Sequence, residues 1–136
     1  MSKADFHRRL NAGLPYEYEG PAMPETFLQI ARRRVAAATS QSAFERERMP
    51  HRARYCALRM VEQLRLAARL TDESEAGWFR DVDWRIEGYN PAHDDDQAAL
   101  ITAGFVQRKR DKSQPYAKRW LCRVTKFGRE ALKDIS

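Results

Sequence analysis

GFVQRKRDKSQPYAKRWLCRVTKFG, residues 104–128, decides the fold. Two runs that mix apolar and cationic residues flank a polar segment containing Pro115, and Thr125 and Gly128 close the stretch. The pattern predicts a β-hairpin with strands over 105–110 and 118–125. Six cations, Arg108, Lys109, Arg110, Lys112, Lys118 and Arg119, fall within twelve residues of it. Two strands and a turn spread them along one projecting ribbon, which suits a phosphate backbone. Tyr116 at the tip can stack on a sugar or base, or brace the turn. The bland counterpart is a solvated edge hairpin whose Lys and Arg prevent edge-to-edge sheet pairing.

On either side of the hairpin the chain reads as helix. Asn90-Pro91 is a cap followed by a first-turn proline, and the helix it opens runs to about Ala103, with Leu100 and Ile101 toward the core. Gly104 is placed to end that helix in the left-handed conformation. After the hairpin, a short helix from about Lys126 to Asp134 docks through Ala131, Leu132 and Ile135. Thr125 caps it, and Gly128 permits close packing although glycine inside a helix costs ~1 kcal/mol.

Leu100, Gly104, Phe105, Val106 and Arg108, followed by Val124, Thr125, Gly128 and Leu132, resemble the back half of a winged-helix domain of the MarR-like kind. In that family a helix ends in L-x-x-x-G-[LF]-[IV]-x-R, a two-stranded wing follows, and a strand ends in L-T-x-x-G; Val124 stands here for the leucine. The resemblance covers about residues 97–132. It implies a mainly α fold with a small β-hairpin wing. It also implies a DNA-binding role, although winged helices serve as protein-interaction modules too.

The front of the chain supplies more helix than a minimal winged helix needs. Residues 1–23 are rich in proline and glycine and read as an irregular arm, with Tyr16 and Tyr18 as its anchors. Pro24 and Glu25 open a helix in which Leu28, Ala31, Val35 and Ala38 recur at helical spacing, with Arg32, Arg33 and Arg34 off that stripe. Ser40 and Ser42 mark a weak point in it. Pro50 reads as the start of a second helix ending near Leu70, striped by Leu58, Val61, Leu64 and Ala68, with Arg52, Arg59, Arg65 and Arg69 outside. Residues 24–70 are thus expected to form a helical hairpin, a candidate dimerisation element, ahead of a winged-helix domain over 71–136. Thr71-Asp72-Glu73-Ser74-Glu75 carries a helix-start signature. Val82, Trp84 and Ile86 alternate in strand fashion, and both readings stay open between them.

The chain has 136 residues, 43% hydrophobic and 32% charged, enough for one folded domain with a real core. No apolar run approaches the length of a membrane span, and the basic N-terminus lacks the apolar region of a secretion signal, so a cytoplasmic protein is expected. Cys56 and Cys122 lie far apart and read as reduced, partly buried thiols. His7, His51 and His93 lack metal-ligand spacing, and no phosphate-cradling glycine loop or nucleophile–base pair is present. Neither an enzyme nor a bound cofactor is expected.

Net charge is +6, unevenly distributed. Residues 1–70 carry 13 Lys/Arg against 7 Asp/Glu, residues 71–104 carry 2 against 9, and residues 105–136 carry 10 against 3. Two functions follow. In the first, a transcriptional regulator holds double-stranded DNA through the basic wing and Arg32–Arg34, as a homodimer on a palindromic site. Against it, the helix that would enter the major groove presents Asp94, Asp95 and Asp96 near its start, which phosphates repel. In the second, an acidic face over 72–96, with Asp81, Asp83, Asp94, Asp95 and Asp96, blocks the basic groove of a nucleic-acid-handling protein, as a small phage-encoded inhibitor of the anti-CRISPR kind would. Converting Asp94, Asp95 and Asp96 to asparagine separates the two, strengthening DNA binding in the first and abolishing partner binding in the second.

Overall fold

The computed structural model describes residues 24–38, 43–85, 91–113, 119–133 and 135. The arm over 1–23, Ser40, Ser42, Asn90, Tyr116 and Lys118 lie outside them. The architecture is mainly helical with a small antiparallel sheet: α1 (Glu25–Ala38), α2 (Ala43–Glu73), β1 (Phe79–Arg80), a 3-10 turn (Asp81–Asp83), α3 (Pro91–Thr102), β2 (Val106–Arg110), β3 (Trp120–Val124) and α4 (Lys126–Lys133). The chain divides into two compact units, residues 1–58 with 135–136, and residues 59–134.

In the first unit, α1 buries Phe27 and Ala31, and the N-terminal part of α2 buries Ala53, Cys56 and Ala57. Arg34 Nη1 donates to Cys56 Sγ at 3.2 Å. The expected joint at Pro50 is corrected: Pro50 lies inside α2, a single helix of 31 residues. A proline inside a helix removes one N–H bond and costs about 3 kcal/mol. The long run of helix formers from Arg52 to Leu70 carries the helix through it. α1 ends at Ala38 and α2 begins at Ala43.

Thr71 is likewise corrected: it ends α2 and starts no helix. Its hydroxyl donates back to the Ala67 carbonyl at 2.7 Å and accepts from the Val124 N–H at 3.0 Å. That second bond ties α2 to β3, a use of the side chain that a capping motif does not foresee. Gly77, at φ +73°, then turns the chain into β1. The alternation of Val82 and Trp84 is not strand; Asp81–Asp83 is a 3-10 turn, and Trp84 is buried with its indole N–H donating to the Gln63 carbonyl at 2.8 Å.

The sheet order is β1-β3-β2, all antiparallel. Phe79 pairs with Cys122, Val106 with Val124, Arg108 with Cys122, and Arg110 with Trp120. Phe79, Val106, Cys122 and Val124 are buried, so this row faces a core completed by Met60, Val61, Leu64, Ala67, Trp84, Leu100 and Phe105. Phe79 and Trp84 meet edge to face, with ring centroids 5.9 Å apart. Each large side chain taken fully from water contributes roughly 1.5–3 kcal/mol, which anchors so small a sheet.

The motif glycines act as their chemistry requires. Gly104 has φ +82° and ends α3, its N–H bonded to the Ile101 carbonyl at 3.0 Å. Thr125 Oγ accepts from the Gly128 N–H at 3.0 Å and donates to the Gly104 carbonyl at 2.7 Å. One hydroxyl thus caps α4 and fastens it to the α3–β2 corner. A Cβ on Gly128 would lie 2.3 Å from the Phe105 carbonyl oxygen, so only glycine fits there. No helix among the described residues is long and apolar enough to cross a membrane.

Candidate nucleic-acid interface

Side chains alternate across a strand, and the sheet register sorts the basic hairpin into two faces. Arg108 and Arg110 belong to the row that also contains Val106, Cys122 and Val124, beyond the edge of the core. Arg108 is exposed and places its guanidinium carbon 4.4 Å from the centre of the Trp120 ring. Lys109 and Gln107 belong to the opposite, outer face, across from Leu121 and Arg123. Arg80, on the edge strand β1, pairs with Leu121 and therefore joins that outer face.

Trp78 is the centre of the outer face. Lys109 Nζ lies 4.3 Å from its ring centre and the Arg123 guanidinium carbon 4.4 Å. Arg123 Nε also donates to Gln107 Oε1 at 2.9 Å, which fixes the guanidinium in line with the sheet. A cation over an indole is worth ~0.5–1 kcal/mol at an exposed site. The attraction is to the ring's quadrupole, so position is gained without cancelling charge. Among the described residues no carboxylate forms an ion pair with Arg108, Lys109, Arg110 or Arg123.

The turn begins with Asp111, the one acid between Gly104 and Gly128. Its N–H closes the ladder on the Arg119 carbonyl at 3.0 Å, and its Oδ1 accepts from the Ser113 N–H at 3.0 Å and hydroxyl at 2.6 Å. Those two bonds hold its carboxyl below the usual range, and the charges of Arg119 and Arg80 add to the effect. Lys112 is exposed on the turn and Arg119 is half-buried beside β3. Of the α1 cations, Arg32 pairs with Glu25 at 2.6 Å and Arg33 Nε donates to the Gln29 carbonyl at 3.4 Å. Arg34 is half-buried against Cys56. These three belong to the other compact unit from the hairpin.

The acidic face is corrected at its most telling member. Asp96 has no exposed surface; it receives Arg59 Nε at 3.0 Å and Nη2 at 3.2 Å in a forked pair. Asp96 stands four residues before the buried Leu100 and so shares its inward stripe. Arg59, expected outside, is drawn in to meet it. Asp94 and Asp95 are exposed, and Asp83 pairs with Arg80 at 3.4 Å. Asp81 and Asp94 line a cleft of about 210 Å³ together with Val82, Trp84, Arg85, His93 and Gln97. Asp72 is bound by Arg129 at 2.6 Å and Glu73 by Arg69 at 3.8 Å. Arginines therefore neutralise much of the acidic middle of the chain where it stands, while the hairpin cations keep their charge.

The outer surface of α3 offers little to a base edge. Among its described side chains the exposed ones are Asp94, Asp95, Ala98 and Thr102. Gln97 is spent inside, donating to the Trp84 carbonyl and to Gln63 Oε1. Both cysteines are free and buried, and burial first, then the nearby Asp81 charge, pushes the Cys122 thiol up to about 12 against a smaller opposing effect of Arg108. Such a thiol is inert at neutral pH.

Sequence reasoning overlooked Trp78, Arg80 and Arg123 as members of the basic surface. The signal was present in β3, where Leu121 and Arg123 alternate with Trp120, Cys122 and Val124. Comparison with family models, curated proteins and solved structures finds no match to this chain.

Proposed function

We propose that this protein is a DNA-associating winged-helix protein that holds the phosphate backbone of duplex DNA through its basic hairpin. The observation that carries the reading is the unequal fate of the two charges. Asp72, Glu73, Asp83 and Asp96 are ion-paired with arginines, whereas Arg108, Lys109, Arg110 and Arg123 have no carboxylate ion partner among the described residues. The hinge-like order of α3, Gly104, β2, β3 and the Thr125-capped α4 supports the winged-helix part of the reading. A cytoplasmic regulator, dimeric through the first 70 residues, belongs to the same proposal.

Backbone contact of this kind is strongly salt-dependent, because each neutralised phosphate releases counterions. The test is a salt titration of binding to random-sequence duplex, wild type beside the Arg108→Ala/Lys109→Ala/Arg110→Ala variant. The expected outcome is a steep salt slope that flattens in the variant. Unaltered affinity in the variant would remove the hairpin from the interface. The second reading, an acidic face that blocks a basic protein groove, has lost Asp96 to the interior and keeps Asp94 and Asp95 as its exposed members on α3.

A further inference from the structure

We infer that the DNA-binding surface is the outer face of the three-stranded sheet, with Trp78 holding Lys109 and Arg123 in place and Arg80 at its margin, and that α3 is not the reading element. The inference rests on the proposed DNA association and narrows it to one face. Three observations carry it. The register places Arg80, Lys109 and Arg123 together with Gln107 on one side of the sheet, and all four are exposed. Lys109 and Arg123 are both positioned on the Trp78 ring, at 4.3 and 4.4 Å, with no carboxylate ion partner among the described residues. The opposite row is largely given to the core, since Phe79, Val106, Cys122 and Val124 in it are buried and Arg108 lies over Trp120.

The dimensions fit the partner. β1 and β2 flank β3 and so lie roughly 10 Å apart, since neighbouring strands are separated by about 4.8 Å. Lys109 and Arg123, with Arg80 at the margin paired to Asp83, therefore form a strip about that wide. Phosphates recur every ~3.4 Å of axis along each DNA strand, so the strip spans a few of them. Among the described strand residues of this face the one neutral polar side chain is Gln107, and that group is held by Arg123. Binding is accordingly to backbone and indifferent to sequence.

The experiment compares two variants that remove the same charge from opposite faces, Lys109→Gln/Arg123→Gln and Arg108→Gln/Arg110→Gln. Each is titrated with a fluorescein-labelled random-sequence duplex at several salt concentrations, after circular dichroism confirms folding. The outer-face variant is expected to lose about two units of the slope of log K against log salt, and on the order of tenfold in affinity at low salt. The opposite-face variant is expected to lose distinctly less of both, about one unit of slope and about threefold in affinity. Trp78→Phe supplies a second readout: wild-type tryptophan emission changes on adding duplex, and the variant loses most of that change. A larger loss from the Arg108/Arg110 pair than from the Lys109/Arg123 pair overturns the assignment of the face while leaving DNA association standing. Failure of wild type to bind duplex at low salt overturns both.

Discussion

Removing the Asp96 carboxylate takes two bonds from the Arg59 guanidinium and leaves a cavity in the core. Asp96 is fully buried and accepts two bonds from Arg59, whose side chain is 21% exposed. Breaking a buried pair from one side costs about 3–5 kcal/mol, and the partial exposure of Arg59 places this one toward the lower end. Asp96→Ala should therefore lower the unfolding free energy read from urea titration by about 3 kcal/mol, whereas Asp95→Ala should stay within about 0.5 kcal/mol. Equal effects of the two would contradict the burial. A triple asparagine variant of Asp94, Asp95 and Asp96 consequently mixes unfolding with charge removal, whereas Asp94→Asn/Asp95→Asn leaves the buried Asp96–Arg59 pair in place. The three aspartates look alike in sequence. Only helical phase separates them, and the phase was legible in the spacing of Asp96 and Leu100; the partner, Arg59, lies 37 positions away and was not.

The hairpin and its flanking helices were the most legible elements, because their signals are local. A helix-ending glycine, alternating strands and a threonine before a helix each act within a few residues, and Gly104, β2, β3 and Thr125 all stand where those signals place them. Two glycines at the same corner should respond differently to alanine. Gly104 has open space around a Cβ, so Gly104→Ala pays only for its positive φ, about 1–2 kcal/mol. Gly128→Ala drives a methyl group against the Phe105 carbonyl and should cost at least as much, up to about 3 kcal/mol, with α4 displaced. Thermal unfolding of both variants, read beside the exchange of the Arg129 amide, checks the distinction. The α2 expectations failed for a different reason. Pro50 and Thr71 are each a good local boundary signal, but the apolar stripe from Ala53 to Ala67 is buried along its length and overrides both. A further element-scale effect concerns pH. The Asp72 carboxyl at the end of α2 is held below its usual range, first by its hydrogen bonds from Arg129 on α4. A depressed folded pKa adds stability above the ordinary carboxylate value of about 4, and that stability disappears as the pH falls through the folded value. Asp72→Asn should shallow the acid side of the stability profile slightly, since the pair is exposed and screened.

Across the whole molecule, the basic–acidic–basic order of the chain misrepresents the charge that a partner meets. The sequence counts charges by position along the chain, whereas folding sorts them by face. Arg129, from the basic last third, neutralises Asp72, and Arg59, from the first, neutralises Asp96. Lys109 and Arg123, on different strands of the sheet, are gathered on Trp78 by a register that the linear order does not show. This bears on how DNA would lie. If α3 entered a groove, Asp94 and Asp95 would face phosphates at close range, and their neutralisation would tighten binding tenfold or more at low salt, where screening is weak. If the outer face of the sheet carries the contact, α3 belongs to the core side, because Leu100 and Val106 are buried together in the interior that the opposite row of the sheet faces. Asp94→Asn/Asp95→Asn should then change duplex affinity by no more than about threefold, and the small effect should vanish as salt rises and the Debye length falls below about 10 Å. Measured beside the Lys109/Arg123 variant, that titration distinguishes a sheet laid on a backbone from a helix set in a groove: a tenfold gain from the two asparagines would put α3 against DNA.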